Sequence, residues 1–212
     1  MIGAAGRRVM AGRERQFAVA MQLVLVAIVV YGLVERQPKA ITNGTLALVI
    51  SFLPALFERD GRVTLDPWLS LWITAAVFFH TLGSAGLYAQ IDWWDHLTHA
   101  FSATLVAGIG YTTVRTIQLH SDGVHLPDRF AFVYILLFVI AFGVVWELFE
   151  YGLDVVADLT GLTMPLSQLG LEDTVVDLMF NTLGALVVAT FGQVHLNDVA
   201  EQLRGVLFDP SG

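Results

Sequence analysis

Six stretches of apolar residues, each close to the roughly 20 residues that cross a bilayer as a helix, divide the chain. They fall at about 16–34, 41–57, 68–89, 94–117, 129–153 and 173–194. The second is short and carries Pro54, which predicts a kink that neighbouring helices can accommodate. The connections are brief except for 155–172, read as a loop, and 196–212 reads as a cytoplasmic tail with a short amphipathic surface helix. No repeat or low-complexity tract interrupts the pattern. The fold it predicts is all-α: a polytopic transmembrane helical bundle of about six spans, one integral membrane domain over 1–212.

Composition sharpens that expectation. Hydrophobic residues make up 56% and charged residues only 14% of the 212, where a soluble domain carries about 25% charged residues. The absence of cysteine excludes a disulfide framework, a thiolate metal site and a cysteine nucleophile. A formal net charge of −8 argues against nucleic acid and leaves membrane lipid as the expected partner. The basic start, with Arg7, Arg8, Arg13 and Arg15, reads as the flank of a retained first helix rather than a removed signal peptide.

Charge asymmetry predicts orientation. With the N-terminus inside, the inner segments hold Arg7, Arg8, Arg13, Arg15, Arg59, Arg62, Arg115, Arg129 and Arg204. The outer segments hold only Arg36 and Lys39. The positive-inside rule therefore places both termini in the cytoplasm of a cell-membrane protein. Tyr31, Tyr88, Trp93, Trp94 and Tyr151 fall at the expected outer boundary, and Trp68, Trp72, Tyr111 and Tyr134 nearer the inner one, as aromatic belts.

Ionisable residues do not follow the apolar pattern; they gather at one level. "WWDHLTHAFS" puts Asp92, Asp95, His96 and His99 within an arc of about 100° at the start of the fourth helix. "VVWELFEYGLD" spaces Glu147, Glu150 and Asp154 at i, i+3 and i+7. "EDTVVDLMFNTLG" makes a stripe of Asp173, Asp177, Asn181 and Gly184. At about 1.5 Å rise per residue, His99, Asp177, Glu147 and Glu150, with His80 of the third helix, reach a similar outer-leaflet depth. A carboxylate at mid-membrane costs about 2.5–3.5 kcal/mol on insertion scales, and no Lys or Arg lies on this side of helices three to six. Such acids must be protonated, paired with histidine, or neutralised by a bound cation.

Plainer readings stand beside that one. Asp95 and Asp173 can serve as helix caps, His96 can face headgroups, His80 can be a satisfied interior histidine, and Asn181 can be polar glue between helices. Glu147 and Asp177 lie too deep for caps, and Glu150 and Asp154 sit where a helix C-terminus would repel them.

The three motifs, "WWDHLTHAFS", "WELFEYGLD" and "EDTVVDLMFNTLGAL", resemble the VanZ-like membrane proteins, and more closely the YjdF-like inner-membrane proteins of unknown function. The resemblance covers about residues 91–190 and carries its pattern onto Asp95, His99, Glu147, Glu150, Asp177, Asn181 and Gly184. Where VanZ-like proteins have a glutamine in the acidic helix, this chain has Glu150, and it lacks their arginine before Asp177. The resemblance implies an organised site without implying a reaction.

Three functions compete on these residues. The first is a divalent-metal-dependent enzyme acting on a lipid or lipid-linked headgroup, with Zn²⁺, Mn²⁺, Fe²⁺, Mg²⁺ or Ca²⁺ as the ion. In it His99, Glu150 and Asp177 are ligands, Asp95 orients His99, Glu147 or Asp154 is the catalytic base, and the 155–172 loop covers the site. The second is a proton- or cation-coupled transporter. The third is a non-catalytic scaffold or resistance protein with a structural cation.

Overall fold

The computed structural model describes residues 4–59, 66–121, 123, 124, 126–162, 164, 166 and 170–208. Seven α-helices follow one another with no strand among the described residues: α1 (Ala4–Glu35), α2 (Pro38–Arg59), α3 (Pro67–Leu82), α4 (Trp94–His120), α5 (Asp128–Thr160), α6 (Leu171–Phe191) and α7 (Gln193–Phe208). Five are long and apolar enough to cross a membrane, through segments 12–35, 38–59, 67–87, 129–160 and 171–191. This is the expected all-α bundle. Its fourth helix is long enough to span but is not among those five: beside Asp95, His96, His99 and Arg115 it carries Thr98, Ser102, Thr104, Gly108, Gly110, Thr112 and Thr113, which dilute its apolar residues.

Local chemistry sets several boundaries. Asp66 caps α3, its Oδ1 accepting from the Trp68 N–H at 3.0 Å, and Pro67 occupies the first turn, where a missing N–H costs nothing. Gly161 closes α5 in the left-handed region at φ 68°. Past Leu82 the helix opens into a wide turn, Gly83–Leu87, in which the Tyr88 N–H reaches Gly83 O at 3.1 Å and Gly86 takes φ 138°. Such wide turns frequently mark functional sites.

Packing centres on α4. It lies against α3, α5, α6 and α7, with its largest contact on α6. That contact is close because it is built from small residues: a Cβ on Gly184 would collide with the Ala100 carbonyl and come within 3.0 Å of the Ala103 Cβ. Ala103, Ala107, Ala185 and Val188 fill the seam, and Trp72, Ile135, Val139 and Leu196 complete the core around it. Absent a hydrophobic drive inside lipid, close approach of this kind is what holds helices together. On the other side α1 and α2 pair, and both lie against α3.

Several expectations are corrected. Helix α5 runs on to Thr160, so 155–160 is helix and not loop, and Glu150 and Asp154 lie within the helix rather than at its end. Of the remaining connection, residues 163, 165 and 167–169 lie outside the described residues. The tail does not simply ride the surface: Leu196 and Ala200 are fully buried, Asn197 accepts from the Tyr111 hydroxyl at 2.8 Å, and Thr116 Oγ1 donates to Ala200 O at 3.2 Å. Several expected belt aromatics turn inward instead, Tyr88 and Tyr111 among them. Trp72 is buried and donates to Thr104 Oγ1 at 2.9 Å, and Trp94 donates to Phe79 O at 3.0 Å. Trp93 remains 59% exposed, as an interfacial anchor should be.

Candidate functional site: a buried Asp–His–Glu cluster

The seam between α4 and α6 dictates where the polar residues meet. Ala100 and Gly184 touch, so His99 and Asp95, at and one turn before that point, face the N-terminal half of α6. His99 Nε2 stands 3.6 Å from Asp177 Oδ2 and 3.7 Å from Asp95 Oδ1. Helix α5 reaches the same place because Gly143 lets Leu178 and Asn181 of α6 approach closely; a Cβ there would lie 2.8 and 2.9 Å from them. One turn further along α5, Glu147 then enters the cluster.

The result is five ligand-type side chains from three helices. His99, Glu147 and Asp177 each offer an atom within 4.8 Å of the others, and so do Asp95, His96 and Asp177. Asp177 belongs to both groups. Glu147 and Asp177 are only 4% and 2% exposed, yet Glu147 Oε1, Asp177 Oδ1 and His96 Nδ1 have no hydrogen-bond partner among the described residues. A buried polar atom without a partner costs about 1–3 kcal/mol, and more when charged. The other Glu147 oxygen, Oε2, accepts from Thr174 Oγ1 at 2.9 Å, which fixes the carboxylate's orientation. His96 stacks flat on Phe180, with centroids 4.6 Å apart.

The remaining expected residues surround this cluster. Glu150 lies in neither ligand group; its Oε1 accepts from Trp146 Nε1 at 3.1 Å on the same helix. Asp154, one turn beyond, also lies outside both groups and is partly buried. Asp173 occupies the first turn of α6, and Asp95 that of α4, but neither makes a side-chain cap. Asn181 is buried one turn below Asp177.

His80 joins indirectly. The Tyr88 hydroxyl lies 2.8 Å from His80 Nδ1 and 3.2 Å from Thr98 Oγ1, and Thr98 in turn donates to Asp95 O at 2.8 Å. The wide turn makes this possible, since the Tyr88 ring lies over Gly83 where any Cβ would collide with it. Tyr88, Thr98, Trp146 and Thr174 were not among the expected site residues. Two had a signal in the spacing: Thr174 precedes Asp177 by three and Trp146 precedes Glu150 by four, each on the same helix face.

Below the cluster opens a cavity of about 430 Å³, lined by residues of α2 to α6 together with Leu166. His80, Thr98, His99 and Asn181 form its polar end; Ala47, Ala76, Val106, Ile109 and Val139 are among its apolar walls.

An array of transmembrane helices around buried acids defines an integral membrane protein with an organised polar site. The chain belongs to the family described as predicted membrane protein (DUF2238), whose model matches residues 17–198. It is similar to an uncharacterized protein of Thermotoga maritima, 28% identical over 141 residues that make up 65% of this chain and 68% of the relative. No solved structure matches it.

Proposed function

We propose that this protein holds a divalent cation in the Asp95–His96–His99–Glu147–Asp177 cluster and acts on the headgroup of a membrane lipid or lipid-linked compound. One observation carries the reading: Glu147 and Asp177 are buried, each keeps one carboxylate oxygen without a hydrogen-bond partner among the described residues, and both share a ligand group with His99. Unpaired buried carboxylates are costly in lipid, and a cation would offset that cost while using the free atoms as ligands. A mixed carboxylate and imidazole set suits Zn²⁺, Mn²⁺ or Fe²⁺ better than an all-oxygen ion. Glu147 serves this reading better as ligand than as base, and Glu150, held by Trp146, better as a nearby proton acceptor for a cation-bound water.

The resemblance of the same residues to VanZ-like and YjdF-like proteins supports an organised site on these three helices. Transport fits less well, because the cavity below the site is walled mainly by apolar side chains, among them Ala47, Ala76, Val106, Ile109 and Val139. Helix α4 is the sixth span in this reading, supported by its 27 residues and its central packing. An even number of spans, with the arginine asymmetry, puts both termini in the cytoplasm and the cluster in the outer leaflet.

The test is cation content. Protein purified without chelator should contain close to one equivalent of a transition metal by mass spectrometry, and Glu147→Gln with Asp177→Asn should lose it. Wild-type protein that is metal-free and takes up no Zn²⁺ or Mn²⁺ on titration would sink the reading. With metal bound, release of headgroup from lipid vesicles separates catalysis from a purely structural ion.

A further inference from the structure

The cavity below the cluster has a side opening. Helix α5 packs against α4 and α6 but makes no comparable contact with α2 or α3. Leu46, Ile109 and Phe142 line the cavity yet remain 56%, 59% and 48% exposed, so its mouth faces the surrounding lipid and not the aqueous phase. The walls on α4 run from Thr98 to Ile109, about 16 Å along the helix. Its volume of about 430 Å³ is within the range of ordinary ligand sites, about 300–1,000 Å³. That is on the order of fourteen liquid-water volumes, a space on the scale of one alkyl chain. A polar end of His80, His99 and Asn181 closes the cavity against the ligand cluster.

From this geometry we infer that the cavity is a lateral portal for a single-chain membrane amphiphile. Its chain enters between α2 and α5, and its oxygen-bearing headgroup is presented to His99 and the cation site. The inference rests on the cation reading for what happens to the headgroup, but not for where the chain sits. The chain gains little hydrophobic energy, since it leaves an environment already apolar. Selection is therefore by shape: one linear chain fits, and a two-chain lipid does not.

The experiment uses the full chain in nanodiscs and an alkyl phosphate bearing a terminal diazirine. On irradiation, adducts are expected on Ala47, Val106 or Val139. Unlabelled alkyl phosphate should reduce these at least fivefold, and excess diacyl phosphatidic acid should not. Val106→Phe, which narrows the cavity, should lose the adducts while keeping wild-type metal content. Adducts confined to the lipid-facing sides of α1 and α2, or competition by the two-chain lipid as strong as by the single-chain one, would overturn the portal. Metal-free wild type with cavity adducts would overturn the cation reading alone.

Discussion

Replacing Gly184 by alanine adds one methyl group at the tightest point of the α4–α6 seam. The new Cβ would collide with the Ala100 carbonyl and meet the Ala103 Cβ at 3.0 Å. Carbon atoms are most comfortable at about 3.5–4.0 Å, and a helix backbone carbonyl cannot swing aside, so α6 must retreat by about 0.5–1 Å. Overpacking of this kind costs about 1–3 kcal/mol. Alanine recovers about 1 kcal/mol through its better helix propensity, leaving a net loss of about 0–2 kcal/mol. The cation site should suffer more, because ligand distances tolerate only about 0.2 Å of error and Asp177 rides on α6. We therefore expect a small drop in Tm together with at least a tenfold weaker Mn²⁺ affinity, read by thermal unfolding and by titration in nanodiscs. Gly152→Ala is the control: nothing lies within 4 Å of its added Cβ, so it should gain about 0.5–1 kcal/mol and leave affinity unchanged. Gly184→Ala with the affinity of wild type would refute the argument that this seam sets the ligand spacing.

Three further outcomes are expected. Thr174→Val removes the hydroxyl that orients Glu147 and should weaken cation affinity about 10–100-fold with little change in Tm, by the same titration. Tyr88→Phe leaves His80 Nδ1 without its hydroxyl partner and should cost about 1–3 kcal/mol in denaturant unfolding; Tyr31→Phe, at a site 60% exposed, should cost nothing measurable. In this cysteine-free chain, a single cysteine at Thr160 should react with an impermeant maleimide from outside the cell and one at Asp122 should not; the reverse pattern would invert the orientation.

The helical bundle was legible in the apolar runs because lipid leaves a backbone few alternatives to helix. The convergence of His99, Glu147 and Asp177 was legible too, from counting rise along antiparallel helices. What periodicity could not convey was rotation. Glu147 and Glu150 differ by three residues and looked interchangeable, but the Gly143 approach turns Glu147 inward and leaves Glu150 to Trp146. The run of helix past Leu153 to Thr160 was hidden by Asp154 and Asp158, acids that read as the start of a loop. The Tyr88–His80 pair depends on Gly86 at φ 138°, a local break that no hydropathy pattern encodes.

The weak hydropathy of α4 has a consequence for how the molecule is made. The helix bearing Asp95, His96 and His99 is long enough to cross a bilayer but is not among the five apolar enough to do so. Its stability in lipid must come from α3, α5, α6 and α7, two of which carry no part of the cluster and three of which are synthesised after it. With α4 as the proposed sixth span, biogenesis would have an order built in: α4 would wait for its later neighbours, and the polar site would be assembled as its central helix becomes a stable membrane resident.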